Sequence, residues 1–516
     1  MSEKYDAIVI GAGLAGLSVA ALLAAEEGRK VLVLEKEDYV GGRLLSFAGQ
    51  GDKLALQGRA LDVKDFKKSL ASVYAWAARS EPDLETIFAE NMLDGFTFEA
   101  GGHATFWGTK GRVGFLLDYL GKKVPLPGNE GFAVVDPETF KLHPMEKGGR
   151  YGWMSEDSNR AAKKLLREMA SAGPGVLAEW DKISFGQWLD DRTDDRKVYE
   201  YLAAVASIHM VMGEPKMIPA GDFIRFMRTA VDIGMNLISG STGIVPRPGF
   251  VYIGERLAEK VRENNGVIMT GTGAREVVFD GSRVVGVKAG SRDREEFFAA
   301  DQVVCTVPIR KIWNFLPREL FPADLVKSVD EEFFSVGMLT GIVALKSNVL
   351  ADAGLSPKSW LLVPAVLKSE EGFIGDVDII SIMPGSFEPS LAPEGKHSLF
   401  FSIALTEHEL HDKAKVDRVI DVSRDIFHKT FPRMKEDTLW ELWTCSDKGF
   451  GDWPPPGKRR PDTTQPGLAG LFFAGDGYGA ATWGSGMDAA IYSALLCLDA
   501  MTSGGYVAKV MPPYHR

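Results

Sequence analysis

Apolar and polar positions change period several times along the chain, and the first changes come early. Residues 5–10 form a short continuous apolar run, 17–26 an Ala/Leu-rich segment of helical length, and 31–34 a second apolar run. The pattern predicts strand, helix, strand, with both strands buried on two faces. Residues 253–263 carry the i, i+3, i+4 spacing of an amphipathic helix. After it, 266–269 and 277–279 read as strands, Asp280-Gly281 as a hairpin turn into 283–287, and 300–308 as a strand returning to the core. Residues 470–476 read as a last buried strand ending in Gly-Asp, and 484–488 opens a helix running to about residue 501. The stretch 50–93 looks helical, and no internal repeat or low-complexity tract breaks the sequence.

The first strand runs into Gly11-Ala12-Gly13-Leu14-Ala15-Gly16, and the second ends at Glu35-Lys36. This is a GxGxxG element with strand before, helix after and an acidic residue about 20 positions on, the pattern of a dinucleotide site. Gly11 permits the tight turn, Gly13 lets backbone N–H groups approach a pyrophosphate, and Gly16 lets helix pack on strand. The helix N-terminus adds partial positive charge where phosphates sit. Glu35 can accept both hydroxyls of an adenosine ribose. Val40-Gly41-Gly42-Arg43 follows without a further helix, so that Gly42 backbone comes close and Arg43 can neutralise the pyrophosphate.

With that extension the sequence resembles the flavin amine oxidase and phytoene desaturase superfamily of FAD-dependent oxidoreductases. The resemblance implies an α/β fold: a Rossmann-type FAD-binding domain built from discontinuous segments, with an inserted α+β substrate domain. The FAD domain is expected from 1–60, 245–308 and 455–516, the substrate domain from 106–244 and 309–454, and a helical insertion over 61–105. It further implies that Ala274 backbone lies near the adenine and that Gly475 and Asp476 serve the ribityl or phosphate region. Gly486 and the Met487 N–H, at a helix start, would face the N1/O2 edge of the flavin. Lys311 falls near the position of a lysine that holds a water close to N5, although a solvated surface lysine is an equal reading. Of the aromatic pair that frames an amine, one position falls at Gly486, which has no side chain, and the other near Phe450. Gly449 lies near the place of the flavin-linking cysteine of some members, so non-covalent FAD is expected. Glu99-Ala100-Gly101-Gly102-His103 resembles the segment that passes beside the flavin. His103 is a candidate acid/base there, with a core histidine as the plainer alternative.

Composition narrows the partners. Of 516 residues 45% are hydrophobic and 25% charged, as in ordinary globular proteins, and Lys+Arg 59 against Asp+Glu 70 speaks against a dedicated nucleic-acid binder. Three scattered cysteines, Cys305, Cys445 and Cys497, offer neither a disulfide framework nor a metal motif, and fit a reducing, cytoplasmic setting. No targeting segment and no membrane span is expected; peripheral membrane contact and a homodimer stay open. Met210, Met212, Met217, Met227 and Met235, with Phe223, Phe226, Trp153, Trp180 and Trp188, suit either a greasy substrate tunnel or ordinary packing. Arg225 and Arg228 could hold a substrate anion or face water. The expected function is hydride transfer between flavin N5 and a C–C bond of a small apolar, isoprenoid-, polyene- or enoyl-like substrate, as a desaturase, saturase or isomerase. The electron acceptor is unassigned. An amine or amino-acid oxidase is the alternative within the class, and a flavin-binding protein without turnover the alternative outside it.

Overall fold

From Ala7 onward the strand Lys4–Ile10 is buried on both faces, as a central strand of a parallel sheet must be. In this computed structural model, which describes residues 4–146, 152–212, 214–234, 242–291, 294–368, 377–385, 388–448 and 451–513, it pairs in parallel with Val31–Leu34 on one side. On its other side lies the end of Arg294–Cys305, and Val267–Met269 extends the first edge. Residues 303–305 also take Leu471–Phe473 as a parallel partner, while the start of that long strand joins an antiparallel ladder with Arg283–Ser291 and Gly273–Asp280. Helix Leu14–Glu26 packs on this sheet beside helices Val251–Glu263 and Gly486–Thr502, which also touch it. Its alanines and Gly16 permit that close, almost fully buried packing. Segments from the beginning, middle and end of the chain therefore share one Rossmann-type α/β layer.

A second sheet holds nine strands among the described residues. Its order is Leu142–Pro144, Gly131–Val135, Ser359–Lys368, Val377–Gly385, His397–Thr406, Phe334–Leu345, Thr438–Ser446 and Ala75–Glu81, with Asp452–Trp453 pairing the start of Phe334–Leu345. Period-two alternation gives its faces different tasks. Phe401, Ile403 and Leu405 pack with Val419, Ile420 and Phe427 of helix Lys413–Thr430. The alternate residues Phe400, Ser402 and Ala404 look the other way, into a cavity shared with the Rossmann layer. Helix Arg196–Met210 packs on that same sheet.

The stretch 50–93 is not the helical insertion that composition suggests. Lys53–Leu56 and Arg59–Leu61 form a small antiparallel sheet with Ser46–Gln50 and Thr97–Glu99. Helix Val63–Ser72 follows, and Ala75–Glu81 then adds an edge strand to the large sheet beside Thr438–Ser446. Tertiary pairing overrides local propensity: the alternating Trp76, Ala78 side packs on the apolar layer beneath. No helix among the described residues is long and apolar enough to cross a membrane.

Candidate active site

One cavity runs between the two sheets, and the glycine element forms its first wall. A Cβ placed on Gly16 would stand 2.1 Å from the Gly11 carbonyl oxygen, so helix and strand touch through this glycine. A Cβ on Gly13 would meet nothing within 4 Å: the space there opens into the cavity. Gly13 caps helix Leu14–Glu26 without any side-chain partner, which leaves the first-turn N–H groups directed at the cavity. Gly42 adopts a left-handed φ of +57° and packs its Cα side against Gly13. Glu35 is buried, its carboxylate accepting from Ala12 N at 2.7 Å and Glu37 N at 2.9 Å. Burial raises its pKa, and these two N–H groups oppose the rise. Open donors at a helix start, a side-chain-free approach at Gly13 and a fixed acceptor at Glu35 fit the pyrophosphate and ribose of FAD.

The helix start at Gly486 is held by buried charges. Arg460 donates to the carbonyls of Thr482, at 2.5 Å, and Gly484, at 2.9 Å, while Asp222 accepts from Gly484 N at 2.9 Å. Arg112, fully buried, donates to the carbonyls of Trp483 and Asp488 at 3.0 and 3.1 Å. Its guanidinium lies 4.0 Å from the Trp483 ring centre and 4.2 Å from that of Tyr492. Desolvation pulls Arg112 down to about 10 and pushes Asp488 up to about 6. Ser485 spends its hydroxyl on the His209 carbonyl at 3.0 Å, so this helix, too, starts without a side-chain cap. The loop before Gly486 is thereby fixed, and the N–H groups at Gly486 and Met487 are left to the cavity, where reduced flavin would carry negative charge. Arg43 ties the wall to the turn after strand Leu471–Phe473 through Asp476, Nη2 to Oδ2 2.9 Å, and donates to the Lys448 carbonyl at 3.3 Å.

The far wall is made of side chains. His103 Nδ1 lies 2.8 Å from Glu99 Oε2, and both side chains are nearly buried. Glu99 is itself fixed, accepting from Ser46 Oγ at 2.7 Å and Phe250 N at 3.1 Å. The hydrogen-bond network assigns the proton on Nδ1 and leaves Nε2 available to the cavity. Beside it, Gly102 lies against Met338 and Ser402, where any Cβ would collide with Met338 Sδ at 2.0 Å. Ser402, Thr340 and Thr444 are cross-strand neighbours in one row, and Thr340 Oγ1 has no hydrogen-bond partner among the described residues. Phe106, Ile208, Val211, Trp360 and Phe400 complete the wall; none is charged.

Of the cofactor-binding and catalytic candidates named from sequence, all line this one cavity except Ala12 and Gly16, which are absent from its lining. Lys311 lines it from the dinucleotide side. Its turn, Ile309–Asn314, is held by Arg310 N to Asp452 at 3.2 Å and by Val277 N to the Phe315 carbonyl at 3.0 Å. Arg225 and Arg228 are not anion holders: Arg225 makes a two-point pair with Asp181, 2.6 Å each, and Arg228 donates to the Ala172 carbonyl. Nor do the methionines and tryptophans form a tunnel. Met210, Met212, Met227, Phe223 and Trp188 are buried in the helical core and absent from the cavity wall. Met235, Gly449 and Phe450 lie outside the described residues. Sequence reading missed Glu99, Arg112, Asp222, Arg460 and Ser402. Only Glu99 left a trace, four residues before His103.

The chain matches the NAD(P)-binding Rossmann-like domain over residues 9–74 and the flavin containing amine oxidoreductase family over 88–501. NADH:acrylate oxidoreductase of Vibrio harveyi is 23% identical over 307 residues, which are 57% of this chain and 23% of that protein. A probable flavin-containing monoamine oxidase A of Dictyostelium discoideum is 24% identical over 271 residues, 51% of this chain and 50% of that one. The chain thus spans half or less of the length of these curated relatives. An oxidoreductase from Methanosarcina mazei superposes with a TM-score of 0.65 over 96% of this chain and 99% of that chain at 17% identity, a likeness of fold.

Proposed function

Because the chain belongs to the flavin containing amine oxidoreductase family and is an FAD-dependent oxidoreductase, we propose that it moves hydride between the cofactor and a C–C bond of a neutral, apolar substrate. The observation that carries this reading is the Glu99–His103 pair opening onto an uncharged wall. Bound FAD supplies the hydride chemistry at its N5. Saturating a C=C bond also requires a proton on the neighbouring carbon, and forming one requires its removal. His103 Nε2 gives or takes that proton, while Glu99 keeps the ring in the tautomer and orientation that present Nε2. Phe106, Phe400, Trp360 and Met338 exclude water and hold an apolar body. Phe106, Ile208, Val211, Trp360 and Phe400 offer no charge to a substrate, and the one carboxylate among the described residues of this wall, Glu99, is engaged by His103, Ser46 and Phe250 N. The name of the Vibrio relative, NADH:acrylate oxidoreductase, supports chemistry at a C=C bond, while the carboxylate of acrylate finds no counterpart among the described residues of this wall.

Anaerobic mixing tests the reading. Loss of flavin colour with an apolar polyene precursor, or return of colour when photoreduced enzyme meets a conjugated enoyl compound, is expected. Bleaching by primary amines with neither of those responses would overturn it in favour of amine oxidation.

A further inference from the structure

Beyond the glycine element and Glu35, the cavity continues to an end wall that no dinucleotide motif supplies. There Lys36 and Glu37 face Ser72, Val73 and Tyr74, the turn that ends helix Val63–Ser72. Three contacts fix this turn. Tyr39 Oη lies 2.5 Å from Ser72 Oγ. Lys36 Nζ stands 5.8 Å from the centre of the Tyr74 ring. The Tyr74 carbonyl accepts from Asp447 N at 3.2 Å. Tyr74 itself holds a left-handed φ of +61°, a conformation that a tyrosine keeps only when its surroundings enforce it. On the other side Gly273 runs along Lys36, where a Cβ would come within 3.3 Å of Lys36 Cβ, and Ala274 and Asn314 line the same cavity.

In a Rossmann-type layer the pyrophosphate lies at the helix start and the ribose at the acidic residue ending the second strand, so the base lies beyond that residue. Here that direction leads to Tyr74. We infer that the turn 72–74, carried by the insertion, forms the adenine-binding wall for FAD, with the Tyr74 ring packed on the base opposite Ala274. Since strand Ala75–Glu81 follows directly and joins the large sheet, the same turn ties the adenosine end to the substrate layer. This inference rests on the FAD assignment and not on the identity of the substrate.

Binding of FAD, ADP and FMN to apoprotein tests it by titration. Asparagine tolerates a left-handed backbone, so Tyr74→Asn removes the ring without removing the turn. Loss of one base–aromatic contact should weaken FAD and ADP alike by roughly 5- to 100-fold and leave FMN unaffected, with Tyr74→Phe restoring both. Unchanged ADP affinity, or equal losses for ADP and FMN, would overturn the inference. Photolabelling of wild-type apoprotein with 8-azido-ADP reads the same point without a substitution: label within residues 72–74 is expected, and label confined to other segments refutes it.

Discussion

The two walls of the cavity are built by different means. The dinucleotide wall is backbone: helix starts at Gly13 and Gly486, glycines that let chain approach chain, and one fixed acceptor at Glu35. The substrate wall is side chains, set by which face of a sheet each residue happens to occupy. Phe400, Ser402 and Ala404 become lining only because Phe401, Ile403 and Leu405 are taken up by the helix behind. Backbone sites need particular residues at short, fixed spacing. Side-chain sites need only register, which many sequences satisfy.

Two glycines three residues apart test the first wall most severely. A valine at position 16 would drive its Cβ into the Gly11 carbonyl, and Gly16→Val should destabilise the fold by about 3 kcal/mol or more, read by thermal unfolding. At position 13 the same side chain would project into open space. Gly13→Val should therefore fold with wild-type Tm in the absence of cofactor, yet bind FAD at least about 100-fold more weakly by displacing the pyrophosphate. Normal FAD affinity in Gly13→Val would mean that the wall does not hold the cofactor by backbone approach.

The second wall should respond in chemistry and not in cofactor binding. His103→Ala is expected to slow flavin reduction or reoxidation by roughly 100- to 10,000-fold with FAD affinity unchanged. Glu99→Gln keeps shape but removes the charge that orients the imidazole, and a smaller loss in kcat of about 10-fold with KM unchanged is expected. Equal losses in kcat and FAD affinity would show that the pair supports the fold and not the reaction.

His209 gives the substrate side a pH signature in stability. Its Nδ1 lies 2.6 Å from the Val205 carbonyl, its ring packs against both Phe106 and Phe226, and burial lowers its pKa to about 4. The unfolded chain protonates this group near 6.5, so from there down to about 4 the unfolded state binds more protons and stability falls with pH. Relative to His209→Gln, wild-type protein should lose about 3 kcal/mol more between pH 7 and pH 4 in denaturant titrations. Parallel curves would mean that water reaches the ring.

The glycine element, Glu35, the Gly-Asp strand end and the Gly486 helix were readable in the sequence because each is local: a few adjacent residues set both conformation and contact. His103 was readable as a residue but not as a pair, since Glu99 gains its meaning only from Ser46 and Phe250 closing around it. Arg112, Asp222 and Arg460 converge on one loop from three distant segments, and nothing in their neighbourhoods marks them. The 50–93 stretch misled for a related reason. Its polar, Lys-rich character belongs to one short helix, while its strands are dictated by partners near residues 97 and 445.

Lys311 draws the finest distinction between the two walls. A lysine near the flavin could hold a water or relay a proton, which would give the dinucleotide wall a chemical role of its own. Its turn, however, is anchored at Asp452 and at the strand Gly273–Asp280, and it reaches the cavity beside Thr306 and Asn314. None of the contacts that fix the His103 segment involves it. A cation so placed acts on the anionic part of the cofactor through partly solvated space, where one charge contributes little. Lys311→Met should accordingly weaken FAD binding by no more than about 5-fold and leave the rate of hydride transfer at saturating FAD within about 2-fold of wild type. A loss in that rate approaching the loss for His103→Ala would place proton chemistry on the backbone-built wall and erase the division of labour between the two.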